Sequence, residues 1–156
     1  MQKFEALRKK LDDEGLFDKS KKNQIPVSPK HIAIITSSST AAFQDIISTV
    51  KRRAPSSQIS LSEATVQGDN AHISIINALN RIINFNELNQ ENAIDVVILS
   101  RGGGSIEDLW CFNNEELARE IYSFPVPTIS GVGHEIDFTI CDFVSDIRVP
   151  TPTASA

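Results

Sequence analysis

An arginine followed by three glycines and a serine, Arg101-Gly102-Gly103-Gly104-Ser105, is the sharpest chemical feature of this 156-residue sequence. Glycine reaches positive φ without steric cost and lets the backbone approach a ligand closely. Such a run, placed between a strand and a helix, presents N–H groups and a helix N-terminus that suit an anion. Arg101 adds a planar guanidinium whose donors match phosphate oxygens. Ser105 and Asp108 have the spacing of an N-terminal capping box. The run is neither GxGxxG nor GxxxxGK[ST], which argues against dinucleotide and P-loop binding. The plainer alternative is a tight turn with a surface arginine.

A second cluster lies at 133–137, GHEID. The second histidine of HExxH is absent, so a zinc-protease helix is a poor reading. His134, with Asp137 three residues on, fits acid/base chemistry oriented by a carboxylate; the alternative is a histidine that caps the next helix. Asp45 faces either the same site or solvent. Gln67 either bonds a phosphate or sugar, or belongs to a turn with Gly68. Trp110 and Phe112 either stack on a base or, as expected here, fill the core. Lys51-Arg52-Arg53 either touches a phosphate backbone or forms a solvated helix C-terminus, where cations complement the macrodipole. Asp142 and Asp146, at i and i+4 with like charge, are expected on a solvated face. His31 and His72 read as structural.

These residues need a frame. Phe4, Leu7 and Leu11 predict a helix over 2–14, stopped by Gly15, with Leu16 and Phe17 docking it on the core. Residues 18–30 read as a polar linker with two prolines. HIAIIT at 31–36 is an unbroken apolar run, as in a strand covered on both faces. A helix over 41–54, with Ala42, Ile46, Ile47 and Val50 on one face, is closed by Pro55. A strand at 58–64 and a helix over 70–85, with Ile73, Ile76, Leu79 and Ile83 on one side, come next. A strand at 95–100 leads through RGGGS to a short helix and to a helix over 113–124, capped by Asn113 with Glu116. A strand at 126–132 leads through GHEID to a helix over 139–146. Thr151-Pro152 marks the start of a further helix. One helix followed by four strand–helix pairs predicts a Rossmann-like layered αβα domain with a mainly parallel sheet of about four strands. Residues 1–30 form a helix and linker packed on an α/β domain of 31–156. Ligands of such sheets bind outside the carboxyl ends of the strands. The exits TSSSTAA, TVQGDN, SRGGGSIEDLW and GVGHEID should therefore share one edge.

Composition narrows the function. The length fits one domain, and no apolar run approaches the roughly 18 residues of a membrane span. The N-terminal stretch MQKFEALRKKL is charged and amphipathic, unlike a secretory signal. Cys111 and Cys141 lack CxxC spacing and read as buried thiols in a reducing cytoplasm. Net charge is −5, divided as +5 over residues 1–53 and −10 over 54–156. A phosphate site on such a body is local rather than a general basic surface. Two-metal nucleases need several carboxylates on neighbouring strand ends. The third exit offers instead Arg101 with glycines, and the fourth His134 with Glu135 and Asp137, so no tightly bound divalent metal is expected.

Five segments together, EGLFD, PKHIAIITS, VQGDNA, RGGGSIEDLWCFNNEELAREI and GVGHEIDFTICDFVSDIRVPTPTASA, resemble the catalytic domain of the exonuclease VII large-subunit family over nearly all 156 residues. The resemblance implies hydrolysis of phosphodiester bonds in single-stranded DNA to oligonucleotides, without a requirement for divalent metal. It implies a complex with several copies of a small helical subunit, held by a C-terminal helical region absent from this sequence. The family's N-terminal OB-fold is absent too. Thr40 stands where the family often has glycine. By this resemblance the catalytic residues are Asp45, Arg101, His134 and Asp137. Gly102, Gly103, Gly104, Ser105 and Gln67 are the candidate phosphate-binding residues. A non-catalytic phosphate- or nucleotide-binding α/β module is the rival, since it has no need of an acid or base at position 134. A small-molecule transferase is a third reading.

Overall fold

The computed structural model describes residues 2–18, 22, 24–26, 29–38, 41–66, 70–100, 112–131 and 139–148. The first helix, α1 (Gln2–Asp13), buries Leu11 completely. Gly15, at φ 86°, ends it. Leu16 N–H then bonds back to Leu11 O at 3.1 Å, the six-to-one bond of a Schellman turn, and both leucines enter the core.

Five strands form one parallel sheet. They are β1 (His31–Thr36), β2 (Gln58–Glu63), β3 (Val96–Ser100), β4 (Thr128–Gly131) and β5 (Ile147–Arg148), in the order β2-β1-β3-β4-β5. The layered α/β class is as expected. The fifth strand was not: at two residues it is too short to leave a periodicity in sequence. All of β1 and β3 is buried, as their unbroken apolar runs required. The strand expected from 126 begins at Thr128, after Pro125 and Pro127, which have no N–H to give a ladder.

Alternating side chains of the central strands feed two cores. Ile32, Ile34, Val96, Ile98 and Ile129 pack with Ile46 and Val50 of α2 (Ala41–Arg53). Ala33, Ile35, Val97 and Leu99 pack on the other side with α3 (Ala71–Leu88), α4 (Glu115–Tyr122), α5 (Ile140–Val144) and α1. The buried face of α3 is Ala71, Ile75, Ala78 and Ile82 with Ile76 and Leu79, whereas Ile73 is 49% exposed. The expected stripe through Ile73, Ile76, Leu79 and Ile83 is therefore rotated. Ala71 and Ala78 carry little hydrophobic signal, yet their small size lets the helix lie close to the sheet.

The start of α4 also differs from expectation. Asn114, one residue later than predicted, is the cap, and its side chain accepts from Leu117 N at 3.0 Å. Asn113 Oδ1 instead accepts from Ile140 N at 2.8 Å, across to α5. Among the described residues, no helix is long and apolar enough to cross a membrane.

Candidate active site

The two outer helical layers change sides between β1 and β3. The chain leaves β1 for α2 on one face, while α3, α4 and α5 lie on the other. Such a switch point opens a crevice outside the carboxyl ends of the strands. Register places the strand ends level with one another: Thr36 opposite Glu63, Ile35 opposite Leu99, Ser100 opposite Gly131. Neighbouring strands lie about 4.8 Å apart. The chain thus enters residue 101 and residue 132 from adjacent points on one edge.

That edge is polar under an apolar sheet. Thr36, Ser100 and Ser130 are fully buried at or next to the strand ends. Thr36 Oγ1 has no hydrogen-bond partner, the one such buried side-chain atom among the described residues. Ser38, just past β1, donates through its hydroxyl to Glu63 Oε1 at 2.6 Å and through its N–H at 3.3 Å. These bonds, the hydroxyl's first, hold the Glu63 carboxyl below its ordinary range. Arg81 Nη2 donates to the Glu63 backbone oxygen. The β1 and β2 exits are thereby fastened together.

Asp45 is the fifth residue of α2, a little over one turn from the end nearest the β1 exit, and its side chain is exposed. Arg101 directly follows buried Ser100 in the chain. Arg101, Gly102, Gly103, Gly104, Ser105, Gln67, His134 and Asp137 lie outside the described residues, as do Asp108, Trp110, Cys111 and Thr151-Pro152.

Several readings resolve. His31 is fully buried at the opposite, amino edge; its Nδ1 meets Asn92 O at 2.8 Å, its Nε2 meets Ser60 Oγ at 2.6 Å, and Phe85 stands edge-on to its ring. It is structural, as expected. Phe112 is core, and Cys141 is buried. Lys51, Arg52 and Arg53 are exposed in the last turn of α2, away from the carboxyl edge, as the solvated reading required. Asp142 and Asp146 overturn the expectation of a solvated face. Asp142 is 4% exposed and bonds Ser130 and Thr139, while Asp146 accepts from Thr128 N at 2.8 Å. The helix ends at Val144, before Asp146, and both carboxylates accept hydrogen bonds from β4. The signal was legible in Thr139-Ile140-Cys141-Asp142, the capping-box spacing that the structure forms.

A doubly wound α/β domain with polar strand ends beside its switch point belongs to the class of folds that forms a ligand crevice there. Residues 16–156 match the family described as exonuclease VII, large subunit, and the chain belongs to that family. It is 54% identical over 153 residues to the exodeoxyribonuclease 7 large subunit of Clostridium novyi (strain NT), covering 98% of this chain and 37% of that one. It is 52% identical over 155 residues to the protein of the same name from Vibrio vulnificus (strain YJ016), covering 99% and 34%. For Halothermothrix orenii the identity is 49% over 153 residues, covering 98% and 36%. The chain thus spans about a third of the length of these relatives.

Proposed function

We propose that this chain is the catalytic part of an exonuclease VII large subunit, hydrolysing phosphodiester bonds in single-stranded DNA to give oligonucleotides. The observation that carries the proposal is the pairing of Ser100 with Gly131 at the ends of adjacent strands, in a chain of this family. It gives RGGGS and GHEID a common root, with α2 and Asp45 rising from the neighbouring exit.

In the proposed reaction, water attacks phosphorus and the bond to the leaving oxygen breaks. Arg101 and the amides of Gly102, Gly103, Gly104 and Ser105 stabilise the charge that develops on the phosphoryl oxygens. Gln67 adds a hydrogen bond to phosphate or sugar. His134 protonates the leaving oxygen or takes the proton of the attacking water, oriented by Asp137 or Asp45. Arg101 neutralises the phosphate where other nucleases use a cation, so no tightly held divalent metal takes part. The partners are single-stranded DNA and the family's small subunit, the latter bound through a C-terminal helical region, and the compartment is the cytoplasm.

The test is hydrolysis by the full-length large subunit with its small subunit. Single-stranded DNA should be shortened and duplex DNA left intact. His134→Ala should abolish cleavage while DNA binding persists. Cleavage that survives this change would remove His134 from the chemistry, and a wild-type complex that binds without cutting would return the chain to the binding-module reading.

A further inference from the structure

Asp142 is a buried carboxylate whose duty exceeds that of a helix cap. Its Oδ2 accepts from Thr139 N at 2.7 Å and Thr139 Oγ1 at 3.1 Å, and Thr139 Oγ1 accepts in turn from Asp142 N at 3.3 Å. That closes the capping box of α5. Its Oδ1, however, accepts from Ser130 Oγ at 2.7 Å. Ser130 is fully buried in β4, Thr139 is 3% exposed and Asp142 is 4% exposed. Burying a charge costs more than a cap on a five-residue helix returns. The Ser130 bond explains the placement, since it joins the two sides of the connection 132–138. One residue further on, Ile140 N donates to Asn113 Oδ1 at 2.8 Å. Asn113 lies just beyond the connection 101–111 that follows β3. The first turn of α5 is thus fastened to the end of β4 through Asp142 and to the downstream end of the β3 connection through Asn113.

We infer that Asp142, with Ser130, and Asn113 are positioning residues, which hold the ends of the two connections carrying Arg101 and His134–Asp137 at a fixed separation. Their purpose rests on the reaction proposed above; the latch itself does not. None of the three is a group that takes part in the proposed reaction. They act by setting where the chain re-enters the core, and a shift of about 1 Å at a reacting group lowers rate on the order of 100-fold.

The experiment uses the full-length large subunit with its small subunit and a single-stranded oligonucleotide. Ser130→Ala cuts the link to β4 but keeps the cap, and Asn113→Ala cuts the other. Each removes a partner from a buried group and so lowers the melting temperature somewhat, but assayed well below that temperature each should lower kcat by about 10-fold or more with KM close to wild type. Asp142→Asn keeps an acceptor for Thr139 N and gains a donor for Ser130 Oγ, so it should stay within a few-fold of wild type. Independently of activity, amide exchange over 132–138 should quicken by about 10-fold or more in Ser130→Ala, with β1 and β3 unchanged. Unchanged kcat, or losses that merely follow the melting temperature, would reduce Asp142 to a cap; so would unchanged exchange. A wild-type complex without hydrolysis would sink the reaction instead, and the exchange measurement alone would then decide the latch.

Discussion

Thr36 Oγ1 is buried without a partner at the end of the central strand β1. A buried hydroxyl left unpaired destabilises by about 1–3 kcal/mol. Thr36→Val is near-isosteric and loses no hydrogen bond, so it should leave stability unchanged or raise it by on the order of 1 kcal/mol. A urea melt reads this directly; a drop of similar size would show that the hydroxyl has a partner after all. The contrasting case is Arg101. Arg101→Lys keeps the charge but loses the planar fork. Loss of one transition-state donor costs on the order of 100-fold or more in rate, so the full complex with this change should turn over correspondingly slowly. Near-normal hydrolysis would leave Arg101 a binding or surface residue.

At the scale of elements, α1 is fastened to α4 by exposed ion pairs as well as by Leu11. Glu115 accepts from Arg119 Nε at 3.0 Å and from Lys10 Nζ at 3.2 Å, and Arg119 also reaches Glu14 at 2.8 Å. Arg119 first, then Lys10, holds the Glu115 carboxyl below its ordinary value of 4.5. A carboxyl lowered in the folded state contributes stability that is present above its unfolded pKa and lost as pH falls through the folded one. The stability difference between wild type and Glu115→Gln should therefore be steady at neutral pH and shrink below about 4.5. Chemical melts of the two proteins across that range check it. A difference that grew as pH fell would contradict the sign. Because the group is exposed, the effect is small and weakens with salt.

At the scale of the whole molecule, charge predicts weak binding of polyanions. Net charge is −5, and among the described residues the cations of 1–53 do not form one free face. Lys10 bonds Glu115, Arg8 lies over the Phe143 ring, Lys22 donates to Phe143 O, and Lys51, Arg52 and Arg53 sit away from the carboxyl edge. Affinity for nucleic acid follows the number of phosphates neutralised by Lys and Arg. The 156-residue chain alone should therefore bind single-stranded DNA poorly; tight, salt-sensitive binding in a titration would show a basic surface that these contacts do not reveal. For the full complex, hydrolysis should persist in excess EDTA. Activity that vanished with chelator and returned with magnesium would promote Asp45 and Asp137 to metal ligands.

Much of this was readable from the chain. Unbroken runs such as HIAIIT declare a strand covered on both faces, because burial on both sides leaves no polar position. Strand–helix alternation declares the parallel sheet, and Gly15 declares the end of α1, where a positive φ is required. RGGGS and GHEID were marked as candidates for chemistry by residue types alone, and both lie outside the described residues. Tertiary structure decided what depends on distant partners. Strand order and register made Ser100 and Gly131 neighbours across 31 positions of sequence, which no local pattern encodes. The two-residue β5 exists because β4 offers it a ladder. Asp142 and Asp146 read as a solvated pair because i and i+4 spacing assumes one helix over both, whereas α5 ends at Val144. Their place was set by Ser130 and Thr128 on a separate strand, which donate to the two carboxylates.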